Sequence, residues 1–146
     1  MAALLAILAA VAGGNLGVTA TPAHPRVGHR VLVGATGQVG TTGRLYLYRS
    51  ARSCADTARG ERRLGTLLAT RPITGAFEVL VSYRPRRVRT EWVCGYLYAI
   101  SCDIGDQGCA PATGLPPDAG FDQVRVRVRP ASQSVKSAAA RGRVIT

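Results

Sequence analysis

Four cysteines and an alternating run of arginines are the residues of this chain whose type and spacing suggest chemistry. Cys54, Cys94, Cys102 and Cys109 are separated by 39, 7 and 6 residues, with no C-x-x-C pair. Zinc sites are built from close ligand pairs, and the two histidines, His24 and His29, lie far from the cysteines in sequence. The spacing therefore points to disulfides and not to a metal. If Cys94 and Cys102 share one extended strand, the step between them is on the order of 26 Å. A disulfide needs Cα atoms within about 7 Å. Cys102 and Cys109 flank the polar loop Asp103-Ile104-Gly105-Asp106-Gln107-Gly108 and can close on each other, which leaves Cys54 with Cys94 as a long-range staple. The same loop offers two carboxylates to a cation, but it lacks the further acidic ligands of a calcium loop and reads as a solvated turn.

Val31 to Gly40 reads as a strand followed by G-x-x-G-x-x-G, and it resembles the NAD(P)-binding turn of short-chain dehydrogenases. That chemistry needs a helix directly after the glycines, so that its first N–H groups face the pyrophosphate. The next residues are instead Thr41-Thr42-Gly43 and the strand-like Arg44 to Arg49, with no Tyr-x-x-x-Lys later, since Lys136 is the one lysine. A glycine-rich turn between two antiparallel strands accounts for the same residues, so no cofactor is expected. With both histidines near the N-terminus, acid-base catalysis has no support, and no catalytic residue is assigned. Val124-Arg125-Val126-Arg127-Val128-Arg129 puts three arginines on one side of a strand. They are the candidate anion-binding residues. Nucleic-acid strands interleave their basic residues with aromatics, and this one alternates with valine.

The elements that must position these residues are strands. Val27, Val31, Val33 and Ala35 share one parity, as do Phe77, Val79, Val81 and Tyr83. Arg44 to Arg49 is a third strand, and Thr66 to Thr74 contains a fourth that ends before a turn at Gly75. Trp92 to Ile100 is apolar at both parities, as expected of a central strand covered on two faces. Pro130 ends the arginine strand, because proline cannot donate to a ladder. Ala55 to Ala69 reads as a loop with one helical turn, interrupted by Gly60 and Gly65.

Met1 to Ala23 carries no ionisable side chain, and Ala2 to Ala12 is the length of a signal-peptide apolar core. Val18-Thr19-Ala20 and Thr21-Pro22-Ala23 offer small residues to a signal peptidase, so residues 1–23 are expected to be a leader. No Lys or Arg precedes the apolar run. Residues 24–130 then form one domain, and 131–146, rich in Ser, Ala, Lys and Arg, a flexible basic tail. The formal net charge is +11, and nearly all of the nineteen basic residues are arginine. A balance this basic favours encounters with acidic polymers, nucleic acid or anionic lipid, and says nothing about fold.

V-G-H-R-V-L-V (27 to 33), G-R-L-Y-L-Y (43 to 48), S-C-A-D-T-A-R-G-E (53 to 61), G-A-F (75 to 77) and V-C-G-Y-L-Y (93 to 98) together resemble the small exported immunoglobulin-like proteins of high-GC actinobacteria. The resemblance implies a disulfide from the Cys-Ala-x-Thr segment to the later Cys-x-Tyr-Leu strand, and export. It carries no catalytic or binding residues. The sequence thus predicts an all-β, immunoglobulin-like sandwich of about seven antiparallel strands, braced by disulfides. The expected protein is a secreted or cell-envelope, non-catalytic binding or structural module. Its expected partner is an anionic cell-envelope polymer, met through Arg125, Arg127 and Arg129, or another envelope protein. The alternatives are an NAD(P)-binding enzyme acting through residues 34–40 and a basic nucleic-acid binder.

Overall fold

The computed structural model describes residues 15–100 and 111–131. Five strands and one helix run in the order β1 (Leu16–Thr21), β2 (Val31–Ser50), α1 (Ala58–Leu64), β3 (Thr66–Tyr83), β4 (Thr90–Ile100) and β5 (Gly120–Arg127). Every named strand pair is antiparallel. The fold is an all-β, immunoglobulin-like sandwich.

Its two layers share strands. The first half of β2 pairs with β1 and with the second half of β3, while the second half of β2 pairs with β4 and with the first half of β3. Between the halves the β2–β3 register breaks from Gln38↔Ala76 to Thr42↔Thr74. Gly75 sits opposite the break with φ +63, a left-handed conformation that a side chain disfavours. There both long strands pass from one layer to the other. Counted by halves, the five strands supply seven strand segments.

This corrects two expectations. Gly75 does not end a strand, and Gly34 to Gly40 is not a turn; both strands run on because the β2–β3 ladder resumes on the far side of the register break. At Gly37 the backbone carbonyl of Asn15 lies where a Cβ would project, so the glycine admits β1 and does not reverse the chain. A third correction is α1, two turns where one was expected, capped by Thr57, whose hydroxyl accepts the Gly60 N–H at 2.9 Å.

β1 lies within the segment expected to be a leader. Leu16 and Val18 are buried in the core, and the Val18 N–H donates to Asp122 Oδ2 on β5 at 2.7 Å. Cleavage after Ala20 or Ala23 would remove this strand. Residues 1–14, the Cys102–Cys109 loop and the tail from residue 132 lie outside the described residues.

The core between the layers is aliphatic. Val31, Val33 and Ala35 of β2 meet Leu45, Leu47, Val93, Leu97 and Val126 from the other layer, all with no solvent exposure. β3 is an outer strand of both layers, since among the described residues it pairs only with β2, and it carries Pro72 opposite Arg44.

Candidate functional site

Strand alternation places the arginine row as expected. Val126 and Val128 are buried, Val124 is half-buried against the core, and Arg125, Arg127 and Arg129 are exposed. Register adds what the β5 sequence alone does not contain. Trp92 of β4 is the cross-strand partner of Arg125, and Phe121 stands on the same exposed parity of β5. Arg125 therefore has one aromatic beside it across the strands, Trp92, and another four residues before it along β5, Phe121.

Backbone hydrogen bonds then gather three separate segments at one end of the sandwich. The Val27 N–H donates to Arg129 O at 2.9 Å, the Gly28 N–H to Pro85 O at 2.8 Å, and the Val128 N–H to Arg89 O at 2.9 Å. Arg84 Nη1 donates to Gly28 O at 2.8 Å, and Arg129 Nε to His24 O at 3.1 Å. Segments 24–30, 83–91 and 125–131 together carry nine arginines and one carboxylate, Glu91. That carboxylate is turned inward. It is 1% exposed, accepts the Tyr83 hydroxyl at 3.1 Å, and pairs with Arg89 Nε at 3.0 Å, the one ion pair among the described residues. Burial, then the Glu91 charge, pushes the Tyr83 phenol far above its ordinary range. The arginines other than Arg89 are left without a carboxylate partner among the described residues. Arg84, Arg86, Arg87, Arg127 and Arg129 are all exposed.

The opposite use of side chains appears on the outer face of β4, where Cys94, Tyr96 and Tyr98 stand at alternate positions. Each grips the segment that leads into α1. Cys94 is bridged to Cys54 with Cα atoms 5.7 Å apart. The Tyr96 hydroxyl donates to Ala55 O at 2.6 Å, and the Tyr98 hydroxyl accepts the Ala58 N–H at 3.0 Å while donating to Leu115 O at 2.8 Å. Glu61, fully buried, faces the same point and accepts the Ala55 N–H on Oε1 at 2.9 Å, whereas its Oε2 has no partner. Cys94 Sγ lies 3.6 Å from Glu61 Oε1 as a contact only, since a bridged sulfur has no proton to donate. Burial and then the Glu61 charge raise the Tyr96 phenol well above its usual value, and burial chiefly raises Tyr98.

Next to this clamp is an open cleft of about 320 Å³, floored by Tyr46 and Tyr48 of β2 and overhung by Arg59 and Arg62 of α1. Tyr46 is braced edge-on by Tyr98, with centroids 6.0 Å apart, and Tyr48 by Tyr96 at 6.1 Å. Spacing alone does not reveal this cleft. Tyr46 and Tyr48 at i, i+2 and Arg59 and Arg62 at i, i+3 each mark a shared face, but it is the disulfide and the Tyr96 and Tyr98 hydrogen bonds around the start of α1 that bring the two pairs together.

Cys54, Cys94 and Glu61 have ligand atoms within 4.8 Å of one another. With both sulfurs in the bridge they offer no thiolate to a metal. The residues of the dinucleotide alternative, 34–40, lie inside β2 with strands on both sides, and no helix comes directly after them.

The chain matches no family model and no curated protein. Among solved structures it is similar to the CARDB domain of a Pyrococcus furiosus protein, crystallised in complex with di-metal ions. The two share 9% identity and a TM-score of 0.47 over 79% of this chain and 86% of that one.

Proposed function

We propose that this protein is an exported, non-catalytic immunoglobulin-like module of the cell envelope that holds an anionic polymer at its basic end. The observation that carries the reading is the gathering of Arg26, Arg84, Arg86, Arg87, Arg127 and Arg129 by backbone hydrogen bonds from three segments, with Glu91 withdrawn into the interior. Guanidinium groups pair with phosphate and carboxylate through two parallel N–H donors, so a repeating acidic chain is the ligand such an end suits. The charge needs no conformational change to be offered.

Export is supported by the Cys54–Cys94 bridge, which persists in oxidising compartments. Retention of β1 asks for processing before Leu16. Ala10-Val11-Ala12 supplies small residues at the required spacing, and the exported protein is then expected to begin at Gly13. N-terminal sequencing of secreted material checks this; a start at Thr21 or His24 would exclude it.

The binding reading is tested with inorganic polyphosphate. Affinity should fall steeply with salt, because each neutralised phosphate releases counterions. The variant R125Q/R127Q/R129Q should bind less tightly and with a shallower salt slope while keeping its fold, as exposed substitutions usually cost within about 0.5 kcal/mol. Unchanged binding in that variant would sink the role of the row. Tighter binding to duplex DNA than to polyphosphate would turn the reading to nucleic acid.

A further inference from the structure

The cleft under α1 is separate in construction from the basic end, and its lining is specific. Its floor is two tyrosines held edge-on by their β4 neighbours, so their rings are fixed before any ligand arrives. Among the described residues, neither the Tyr46 nor the Tyr48 hydroxyl has a hydrogen-bond partner, in contrast to Tyr96 and Tyr98, which are fully used. Arg59 and Arg62 lie on one face of α1, i and i+3, and both are exposed. Neither side chain is paired with a carboxylate among the described residues. Arg62 acts on Tyr48 electrostatically, opposing the rise in its pKa that burial causes. Arg59 is held sideways against Gly114, where its Nη1 is 2.8 Å from the position a Cβ would take. Among the described residues no acidic side chain lines the cleft; the buried Glu61 carboxylate turns to Ala55, Tyr96 and the disulfide, although its charge still acts on Tyr48.

We infer that this cleft is a binding site for a single acidic sugar unit, a ring bearing a carboxylate or a phosphate. The two guanidiniums supply the anion contacts, the free phenol hydroxyls meet ring hydroxyls, and the half-buried Tyr46 ring with Leu67 covers the apolar side of the sugar. The volume sits at the low end of the ~300–1,000 Å³ range of ligand clefts, room for one ring and its acid and not for a dinucleotide. The site deepens the envelope-module reading without depending on the basic end: a polymer end or side branch of the same chemistry would enter here.

Calorimetric titration of the full chain with glucuronic acid, glucose 6-phosphate, glucose and inorganic phosphate tests it. At least one of the two acidic sugars should bind saturably, about tenfold or more tighter than glucose and tighter than phosphate alone. The tighter of the two identifies the acid the cleft prefers. R59Q and R62Q, both at exposed positions, should each weaken that binding about tenfold. R125Q/R127Q/R129Q should leave it unchanged, so loss of polyphosphate binding and loss of sugar binding are distinguishable. Equal binding of glucose, equal binding of free phosphate, absence of saturation, or indifference to R59Q and R62Q would each overturn the inference.

Discussion

The two faces of β4 are separated by one residue in sequence and do different work. Val93 and Leu97 face inward into a dry aliphatic layer where any well-packed side chain of similar volume serves, whereas Cys94, Tyr96 and Tyr98 face outward and each holds a named atom of the segment Cys54 to Ala58. The inner face stabilises the whole sandwich by removing area from water. The outer face decides where α1 sits. Burial is nearly complete on both sides, so exposure alone would not separate them; hydrogen-bond direction and the bridge do.

The division of labour is probed hardest from the inside. Leu97→Ala should cost about 2–5 kcal/mol of global stability, read by chemical denaturation, since it leaves a cavity between rigid strands. A cost under about 1 kcal/mol would mean that the layers close over the gap and the inner face is less rigid than its packing implies. Next in size, C54A/C94A should cost about 2–4 kcal/mol by freeing the loop in the unfolded chain. The excess over that loss should appear locally, as faster amide exchange at Ala55 and Ala58 than in β2. Equal acceleration across the sheet would show that the bridge is part of the global core. Smaller still, Tyr98→Phe removes a hydroxyl with an acceptor and a donor role and should cost about 1 kcal/mol or slightly more, again concentrated at Ala58 and Leu115. If its effect matched that of Leu97→Ala, the two faces would not be distinct.

Alkaline pH gives the finest discrimination. The phenols of Tyr83 and Tyr96 are raised in the folded state above the ordinary 10.0. Their stabilising contribution is therefore whole below about pH 10 and is lost as pH rises above it, because the unfolded chain sheds those protons first. Stability should decline from about pH 10 upward, and Tyr96→Phe should flatten the decline. A variant with the same alkaline slope as the parent would show that Tyr96 ionises freely in the fold.

Much of this architecture is legible in local pattern. The β5 alternation and the two-sided apolar character of Trp92 to Ile100 derive from the period of a strand, and both stand in the structure. The Cys54–Cys94 bridge is reached by strand length and elimination. What local pattern misses is non-local. Glycines at 34, 37, 40 and 75 look like punctuation because a glycine's neighbours in space are invisible in one dimension; at Gly37 the neighbour is β1, and at Gly75 it is the register break. β1 is hidden because a short apolar strand and an export signal have the same composition. The basic end is hidden for a different reason. Its arginines come from three stretches of the chain, and only the pairing of residues 26–28 with 85 and 129 makes them one surface.

The position of β3 sets how the molecule behaves in company. Among the described residues a strand that borders both layers leaves one long row of backbone donors and acceptors unpaired, to which another chain could add itself and so begin a fibril. Pro72 removes a donor from that row, Gly75 twists it where the layers change, and Arg71 and Glu78 place charge along it. No stretch of β3 is then both straight and uncharged for its full length. The bend that builds the sandwich also keeps neighbouring copies from zipping together, so resistance to self-association is written into the same few residues that carry the chain from one layer to the next.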